Sequence, residues 1–148
     1  REMRDLAKSK AGNGTEGERA ERLRLFVHDH VGTNAGIGIL RDAREILETG
    51  EGVCRDHAVL LTTLLRASDI PARVVAGLVY MDDAFYYHAW SEALIEGKWV
   101  GLDSTRPSSK LTPTHIKLAQ GTVAEAFTSF LLEGASIEPL NQRPKGDS

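Results

Sequence analysis

Residues 52–65 read Gly-Val-Cys-Arg-Asp-His-Ala-Val-Leu-Leu-Thr-Thr-Leu-Leu and contain the only cysteine of the chain, Cys54. The run from Ala58 to Leu65 is apolar on nearly every side, as expected of a helix that is buried against a sheet. We therefore predict a helix from Cys54 to about Ala67. A thiol at the start of a helix is well placed for chemistry, because the N–H groups there stabilise a thiolate.

The segments after this helix have the β-branched and aromatic composition of strands. We predict three strands, at 73–80, 84–95 and 98–102, with short turns between them. Side chains alternate along a strand, so His88 shares a face with Trp90. If the second and third strands are antiparallel neighbours, His88 lies beside Asp103, the residue that follows the third strand.

Capping signals predict further helices on both sides of this region. The pattern Thr-x-x-Glu at 15–18 predicts a helix to about residue 31, and the same pattern at 122–125 predicts one to about residue 132. A short helix is predicted at 42–49, because Gly50 follows it as a terminator. The glycine-rich stretch 32–38 lacks the pattern of a phosphate loop and is interpreted as a flexible loop.

The chain has the size and composition of one globular domain, with 148 residues, 41% of them hydrophobic and 26% charged. We expect a single domain over 1–148, with a core at about 15–107 and a C-terminal helical extension at about 108–140. The chain begins at Arg1 and shows no signal peptide. It is therefore expected to be a piece of a longer protein with other domains attached; the residues specify no oligomeric state.

Composition also excludes several kinds of site. The 18 Lys and Arg are scattered among 21 Asp and Glu, for a net charge of −3, so no nucleic-acid partner is expected. A lone cysteine excludes an internal disulfide and a four-cysteine zinc site. Cys54 and His57 form a C-x-x-H pair, but two ligands are too few for zinc, and no calcium-loop pattern is present. We expect no metal and no cofactor.

The candidate catalytic set is Cys54, His88 and Asp103, as thiol, base and orienter. A thiol becomes nucleophilic as a thiolate, which a nearby imidazolium stabilises, and a carboxylate fixes the tautomer of that imidazole. The alternatives are a buried structural cysteine, a packing histidine, and an aspartate that only forms a turn with Ser104. His88 is preferred among five histidines because it lies on a strand beside the aspartate. The other four are on the first helix, inside the cysteine helix or in the less patterned tail: His28, His30, His57 and His115.

Four segments in this order resemble the transglutaminase-like superfamily over roughly residues 20–107. The resemblance implies an α+β fold in which a cysteine-bearing helix packs on an antiparallel sheet, in a papain-like arrangement. It also implies that Cys54, His88 and Asp103 are the catalytic residues. The segments are Gly52-Val53-Cys54, Leu64-Leu65-Arg66-Ala67-Ser68-Asp69-Ile70-Pro71-Ala72-Arg73-Val74-Val75, His88-Ala89-Trp90 and Trp99-Val100-Gly101-Leu102-Asp103-Ser104-Thr105.

The implied activity is acyl transfer at an amide bond of a protein or peptide, through a thioester on Cys54. Water is the preferred acceptor, as in a cysteine peptidase or amidase. Amine transfer, as in a true transglutaminase, and a non-catalytic scaffold are the alternatives. Animal members use a tryptophan before the cysteine as an oxyanion donor, and this chain has none there, so the backbone N–H of Cys54 and the Tyr86 hydroxyl are candidates. Many bacterial relatives lie outside the cytoplasmic membrane, which implies an extracytoplasmic or cell-envelope location.

Overall fold

The structure, a computed structural model, describes residues 1–108, 111 and 114–121. The helix predicted after residue 122 and most of the predicted extension at 108–140 lie outside these residues. Among the helices of the described ranges, none has the length and apolarity needed to cross a bilayer. The described elements are α1 (Glu2–Ala11), α2 (Glu16–His30), β1 (Gly32–Thr33), α3 (Ala43–Thr49), β2 (Glu51–Gly52), α4 (Cys54–Ala67), β3 (Ala72–Met81), β4 (Ala84–Ile95), β5 (Lys98–Leu102) and β6 (His115–Gly121).

The main sheet is antiparallel and has the strand order β5-β4-β3-β6. The three predicted strands are confirmed as β3, β4 and β5, and β4 is the central partner that joins the other two. The fourth strand, β6, was not predicted. It pairs with β3 at the edge of the sheet, so the helical extension predicted at about 108–140 is wrong for residues 115–121, which form a strand.

The cysteine helix α4 packs on this sheet, which confirms the predicted α+β architecture. Its leucines at positions 60, 61, 64 and 65 are fully buried. A polar contact crosses the same interface, because the Ser91 hydroxyl on β4 donates to the carbonyl of Ala58 at 3.1 Å and contacts Thr62 Oγ1 at 2.9 Å. The start of α4 is thereby held in a fixed position relative to β4.

The helix α1 was missed and lies before the predicted start of the core at residue 15. Its Ala7 and Ala11 are fully buried and join the core formed with α2 and α4. Besides these alanines, the partly buried Met3 and Leu6 pack against the core, and the other residues of the helix are polar. The predicted N-cap of α2 is confirmed, since Thr15 Oγ1 accepts from Glu18 N–H at 3.2 Å.

The stretch predicted as a loop at 32–38 begins with a strand. Gly32 N–H donates to the Gly50 carbonyl at 2.8 Å, and Asn34 N–H donates to the Gly52 carbonyl at 3.0 Å. The resulting parallel pair, β1 with β2, lies directly before Cys54. A local pattern does not show this pairing, because it depends on where α2 ends and α4 begins.

Candidate active site

Cys54 is the first residue of α4 and lines a cavity of about 410 Å³, within the usual range for ligand pockets. A larger cavity of about 570 Å³ lies beside β5, but its lining is apolar except for Glu21. We take the cavity at Cys54, here called the cleft, as the candidate active site because it holds the thiol. Its lining residues are His28, Val31, Gly32, Thr33, Gly52, Val53, Cys54, His57, His88 and Thr105.

The start of α4 is fixed by Asp56, which is fully buried. Its Oδ2 accepts from Val53 N–H at 2.9 Å and pairs with Arg41 at 3.4 Å, so its negative charge is balanced. Gly52 is needed here, since a Cβ at this position would meet the Asp56 Cβ at 2.5 Å. These contacts hold the backbone on which Cys54 is presented.

The Cys54 thiol is surrounded by hydrogen-bond donors. Burial alone would raise its pKa, but the hydrogen bond and charge of His88 and the N–H groups of Ala89 and Arg55 outweigh burial and lower it. Cys54 is half-buried, so the thiol remains in reach of a substrate in the cleft. These features stabilise a thiolate, the nucleophilic form of cysteine.

His88 connects the thiol to the carboxylate of Asp103. Its Nε2 donates to Asp103 Oδ2 at 2.7 Å, so Nδ1 is the ring atom left to face Cys54. Burial alone would lower the His88 pKa, but the partners Asp103 and Cys54 raise it to about 9. Burial would raise the Asp103 pKa, but His88 and Thr105 hold it well below its usual range. The pair therefore consists of an imidazolium and a carboxylate at neutral pH.

Asp103 combines the two roles that the sequence left as alternatives. Its Oδ1 forms a turn, accepting from Thr105 N–H at 3.0 Å and from Thr105 Oγ1 at 2.6 Å. Its Oδ2 faces His88 and also accepts from His115 Nε2 at 3.1 Å. Arg106 Nε lies 3.6 Å from the same oxygen. Both oxygens of the Asp103 carboxylate therefore have hydrogen-bond donors, although only 2% of its side chain is exposed.

Ser104, next to Asp103, holds two further histidines at the cleft. Its carbonyl accepts from His28 Nδ1 at 3.0 Å, and its hydroxyl contacts His57 Nδ1 at 3.2 Å. Burial lowers the His57 pKa and outweighs the opposing charge of Asp103, so His57 is neutral at neutral pH. The 103–105 segment thereby positions groups from α2, α4 and β4 around one cleft.

Arg24 anchors the turn that carries Asp103. It is fully buried, pairs with Glu21 at 2.7 Å, and donates to the carbonyls of Asp103 at 3.2 Å, Arg106 at 2.6 Å and Pro107 at 3.0 Å. A guanidinium has five donors in a rigid fork, which suits several carbonyls at once. Arg24 therefore fixes the backbone after β5 to α2.

The aromatic residues near the site differ in their environment. Trp90 is 2% exposed and its ring packs edge-on against His115, with ring centroids 5.1 Å apart. Trp99 is half exposed and is covered by Arg73 at 3.8 Å. Both are packing residues. Tyr86, the candidate oxyanion donor, is 49% exposed, and no contact of its hydroxyl with Cys54 is observed within the described residues.

The structure brings together the three residues selected from the sequence, Cys54, His88 and Asp103. Other residues that complete the site were not selected from the sequence. Two signals point to some of them: Ser104 adjoins Asp103, and polar and apolar residues alternate from 115 to 118, a strand pattern. Nothing local marks the distant contacts of the α2 residues. The missed residues are Arg24, His28, His57, Ser104 and His115.

Within the described residues, His88, Asp103 and His115 are the one group whose side-chain atoms lie close enough to share a metal ion, within 4.8 Å of one another. Both histidine Nε2 atoms are hydrogen-bonded to the carboxylate, and the cationic Arg106 lies beside it. A metal here would displace both hydrogen bonds and meet a positive charge. The C-x-x-H pair of Cys54 and His57 is not part of this group.

The model of a protein family described as the transglutaminase-like superfamily matches residues 4–104. A crystal structure of a proposed cysteine protease from Cytophaga hutchinsonii is 28% identical, with a TM-score of 0.73 over 84% of this chain and 43% of that one. The UPF0252 protein PH0672 of Pyrococcus horikoshii is 36% identical over 85 residues, 56% of this chain and 27% of the relative. Legionella pneumophila LapG shares the fold, with 14% identity and a TM-score of 0.63 over 82% of this chain and 80% of that one.

The chain thus spans about a quarter of the curated relative that it matches and less than half of the Cytophaga hutchinsonii structure. The matched residues run from Arg4 in α1 to Ser104 and include Cys54, His88 and Asp103.

Proposed function

The chain belongs to the transglutaminase-like superfamily, and on that basis we propose that it is a thiol-dependent hydrolase that cleaves an amide bond of a protein or peptide through a thioester on Cys54. The similarity to a proposed cysteine protease supports this class of reaction. The observation that carries the proposal is the hydrogen-bonded series from the Cys54 thiol through His88 to Asp103 Oδ2, at the wall of one cleft.

The first half of the reaction forms the thioester. The Cys54 thiolate attacks the amide carbonyl carbon, and a new C–S bond forms. His88 Nδ1 then gives its proton to the amide nitrogen as the C–N bond breaks, which releases ammonia or an amine. Asp103 stays ionised throughout and stabilises the imidazolium from the Nε2 side.

The second half returns the enzyme to its starting state. Neutral His88 takes a proton from water, the oxygen attacks the thioester carbon, and the C–S bond breaks. The products are a carboxylic acid, the thiolate and the imidazolium. Backbone N–H at the start of α4, including that of Cys54, is the proposed donor to the oxyanion of each tetrahedral intermediate.

The lining of the cleft supports water as the acceptor. An enzyme that transfers acyl groups to amines must hold the amine while it excludes water from the thioester. No Phe, Tyr or Trp is among the described residues of the cleft lining, which consists mainly of histidine, glycine, threonine and valine. Water should therefore reach the intermediate, and hydrolysis should dominate.

The proposal is tested by following both products at once. Glutamine-containing and mixed peptides are incubated with the chain and an excess of a primary amine, and free acid, amine adduct and acylated Cys54 are measured by mass spectrometry. We expect mainly free acid, together with an acyl adduct on Cys54 after rapid acid quenching.

Two variants calibrate this experiment. Cys54→Ala should abolish both products, whereas Lys98→Ala, an exposed position at the far end of β5 from Asp103, should leave them unchanged. A predominant amine adduct would replace the hydrolase by a transglutaminase. Binding of peptides with no turnover at any pH would favour the non-catalytic scaffold.

A further inference from the structure

We propose that His115 is a positioning residue: its Nε2–H donates the second hydrogen bond to Asp103 Oδ2 and thereby keeps this carboxylate oriented toward His88. The inference rests on the proposed function for its effect on turnover. Its structural part concerns the hydrogen bonds alone and is measurable without any substrate.

The contacts of the carboxylate require a donor from His115. An ionised carboxylate only accepts hydrogen bonds, so the His115 ring atom 3.1 Å from Oδ2 must carry a proton. The side chain of His115 is only 2% exposed, as is that of Asp103, so water does not substitute freely for this contact. With Thr105 on Oδ1 and both histidines on Oδ2, each oxygen has two donors and the rotation of the carboxylate is fixed.

The position of His115 depends on how β6 joins the sheet. In the register of β3 with β6, His115 lies opposite Val79, and a shift occurs between Ala76 and Gly77. A Cβ on Gly77 would collide with the Ile116 carbonyl and would meet the edge of the Trp90 ring at 2.7 Å. The absence of a side chain at Gly77 therefore lets Trp90 reach over β3 and pack against the His115 ring at an angle of 90°.

Charges around the carboxylate favour the hydrogen-bonded arrangement over a metal ion. Asp103 faces the His88 imidazolium from β4 and Arg106 from its own turn, and His57 on α4 also interacts with its charge. A divalent cation between the histidines would lie close to Arg106 and would remove the proton by which His88 contacts Asp103. We therefore assign His115 as a donor and treat a bound metal as an outcome that would overturn the assignment.

The test compares two variants of His115 of similar volume. His115→Gln keeps an N–H near the position of Nε2, whereas His115→Met removes the donor. The thiolate of Cys54 is titrated by its ultraviolet absorbance, which needs no substrate. We expect the apparent pKa of the thiol to rise by about one unit in His115→Met, equivalent to a tenfold loss of thiolate on the acid side, and to change by less than about a third of that in His115→Gln.

Turnover gives a second measurement on the same variants. If the proposed function holds, kcat of His115→Met should fall by about tenfold or more with KM within about twofold, and His115→Gln should recover most of the loss. A thiol titration in folded His115→Met that matches the unsubstituted chain would overturn the inference. If the thiol pKa rises in His115→Met as expected but the unsubstituted chain cleaves no amide, the proposed function is contradicted and this inference still holds.

If His115→Met fails to fold, the inference is tested on the unsubstituted chain by two measurements. Nitrogen NMR of the histidine rings distinguishes the two tautomers, and metal analysis of the purified chain detects a bound ion. The inference requires a protonated Nε2 on His115 and no stoichiometric metal. A neutral His115 ring that is protonated only at Nδ1 would overturn the inference. One metal ion per chain, bound so that its removal changes the His115 Nε2 signal, would also overturn it.

Discussion

At the scale of single residues, the candidate site shows how burial and hydrogen bonding oppose each other. Burial disfavours charge on Cys54, His88 and Asp103, yet the three groups supply each other with opposite charges and donors. Any one of them alone would tend to be neutral. Together they hold a proton on His88, keep the carboxylate ionised and favour the thiolate form of Cys54, which is the nucleophilic form.

The first prediction concerns the alkaline limit of activity. The raised pKa of His88 keeps the ring protonated up to about pH 9, and the rate should fall above this pH because the leaving amine then receives no proton. The acid limit is set by protonation of Cys54, whose pKa His88 and the neighbouring N–H groups lower from its ordinary value. The pH profile of kcat/KM checks this. A decline centred near the ordinary histidine pKa of about 6.5 would contradict it.

The second prediction concerns Asp103→Asn. An amide at this position favours the wrong tautomer of His88, so turnover should fall by about four orders of magnitude. The structure adds a stability cost, because the amide N–H₂ must face donors from Thr105, His88 or His115; we expect roughly 1–3 kcal/mol, measured by urea unfolding. Asp82→Asn, in the exposed turn between β3 and β4, should change neither quantity.

At the scale of elements, the sequence predicted α4 and the three strands that follow it within one residue of their observed bounds. These elements have strong local signals: an apolar run after Gly52, Pro71 after the helix, and turns at 81–83 and 96–97. The position of Asp103 beside His88 was predicted from side-chain alternation along two antiparallel neighbouring strands. The edge strand β6 was missed, since its exposed Ile116 and Leu118 give only a short alternating pattern with no turn that links it to β3.

The third prediction concerns the packing of β3 at Gly77. Gly77→Ala should cost about 1–3 kcal/mol of stability, because the new methyl group meets backbone on β6 and the Trp90 ring, neither of which can move freely. Thermal unfolding measures the change. Gly17→Ala is the matched control, since a Cβ there meets only Ile95 at 3.8 Å, and it should be neutral or slightly stabilising. Equal stability of the two variants would contradict the packing of β3 against β6.

At the scale of the whole chain, the site depends on contacts that no local pattern contains. Residues of α2 reach the turn after β5 through Arg24 and His28, and β1 pairs with the segment before Cys54. Sequence separation hides these links, because each partner belongs to a different element. The catalytic candidates could therefore be selected from the sequence, whereas the residues that hold them in place required the three-dimensional structure.

The fourth prediction tests this long-range support. Arg24→Met should cost roughly 2–5 kcal/mol, since it leaves Glu21, the buried carbonyl of Asp103 and the partly buried carbonyl contacts of Arg106 and Pro107 without their donor. It should also slow turnover, because the backbone of Asp103 loses its anchor. Arg44→Met, an exposed arginine on α3, should change stability by less than about 0.5 kcal/mol. A stable and fully active Arg24→Met variant would show that the turn needs no anchor on α2.

Whether Cys54 is a thiolate held by His88 is tested most directly by the rate at which iodoacetamide alkylates Cys54 as a function of pH. Mass spectrometry measures alkylation of the single thiol in the folded chain, in His88→Ala and in the urea-unfolded chain. The thiol of the unfolded chain is the reference for the reactivity of the folded one. The folded thiol should still react well below pH 8.5, which is about the ordinary pKa of cysteine, and His88→Ala should lose this reactivity. A folded Cys54 that reacts with the same pH dependence as the unfolded chain, or does not react at all, would contradict it.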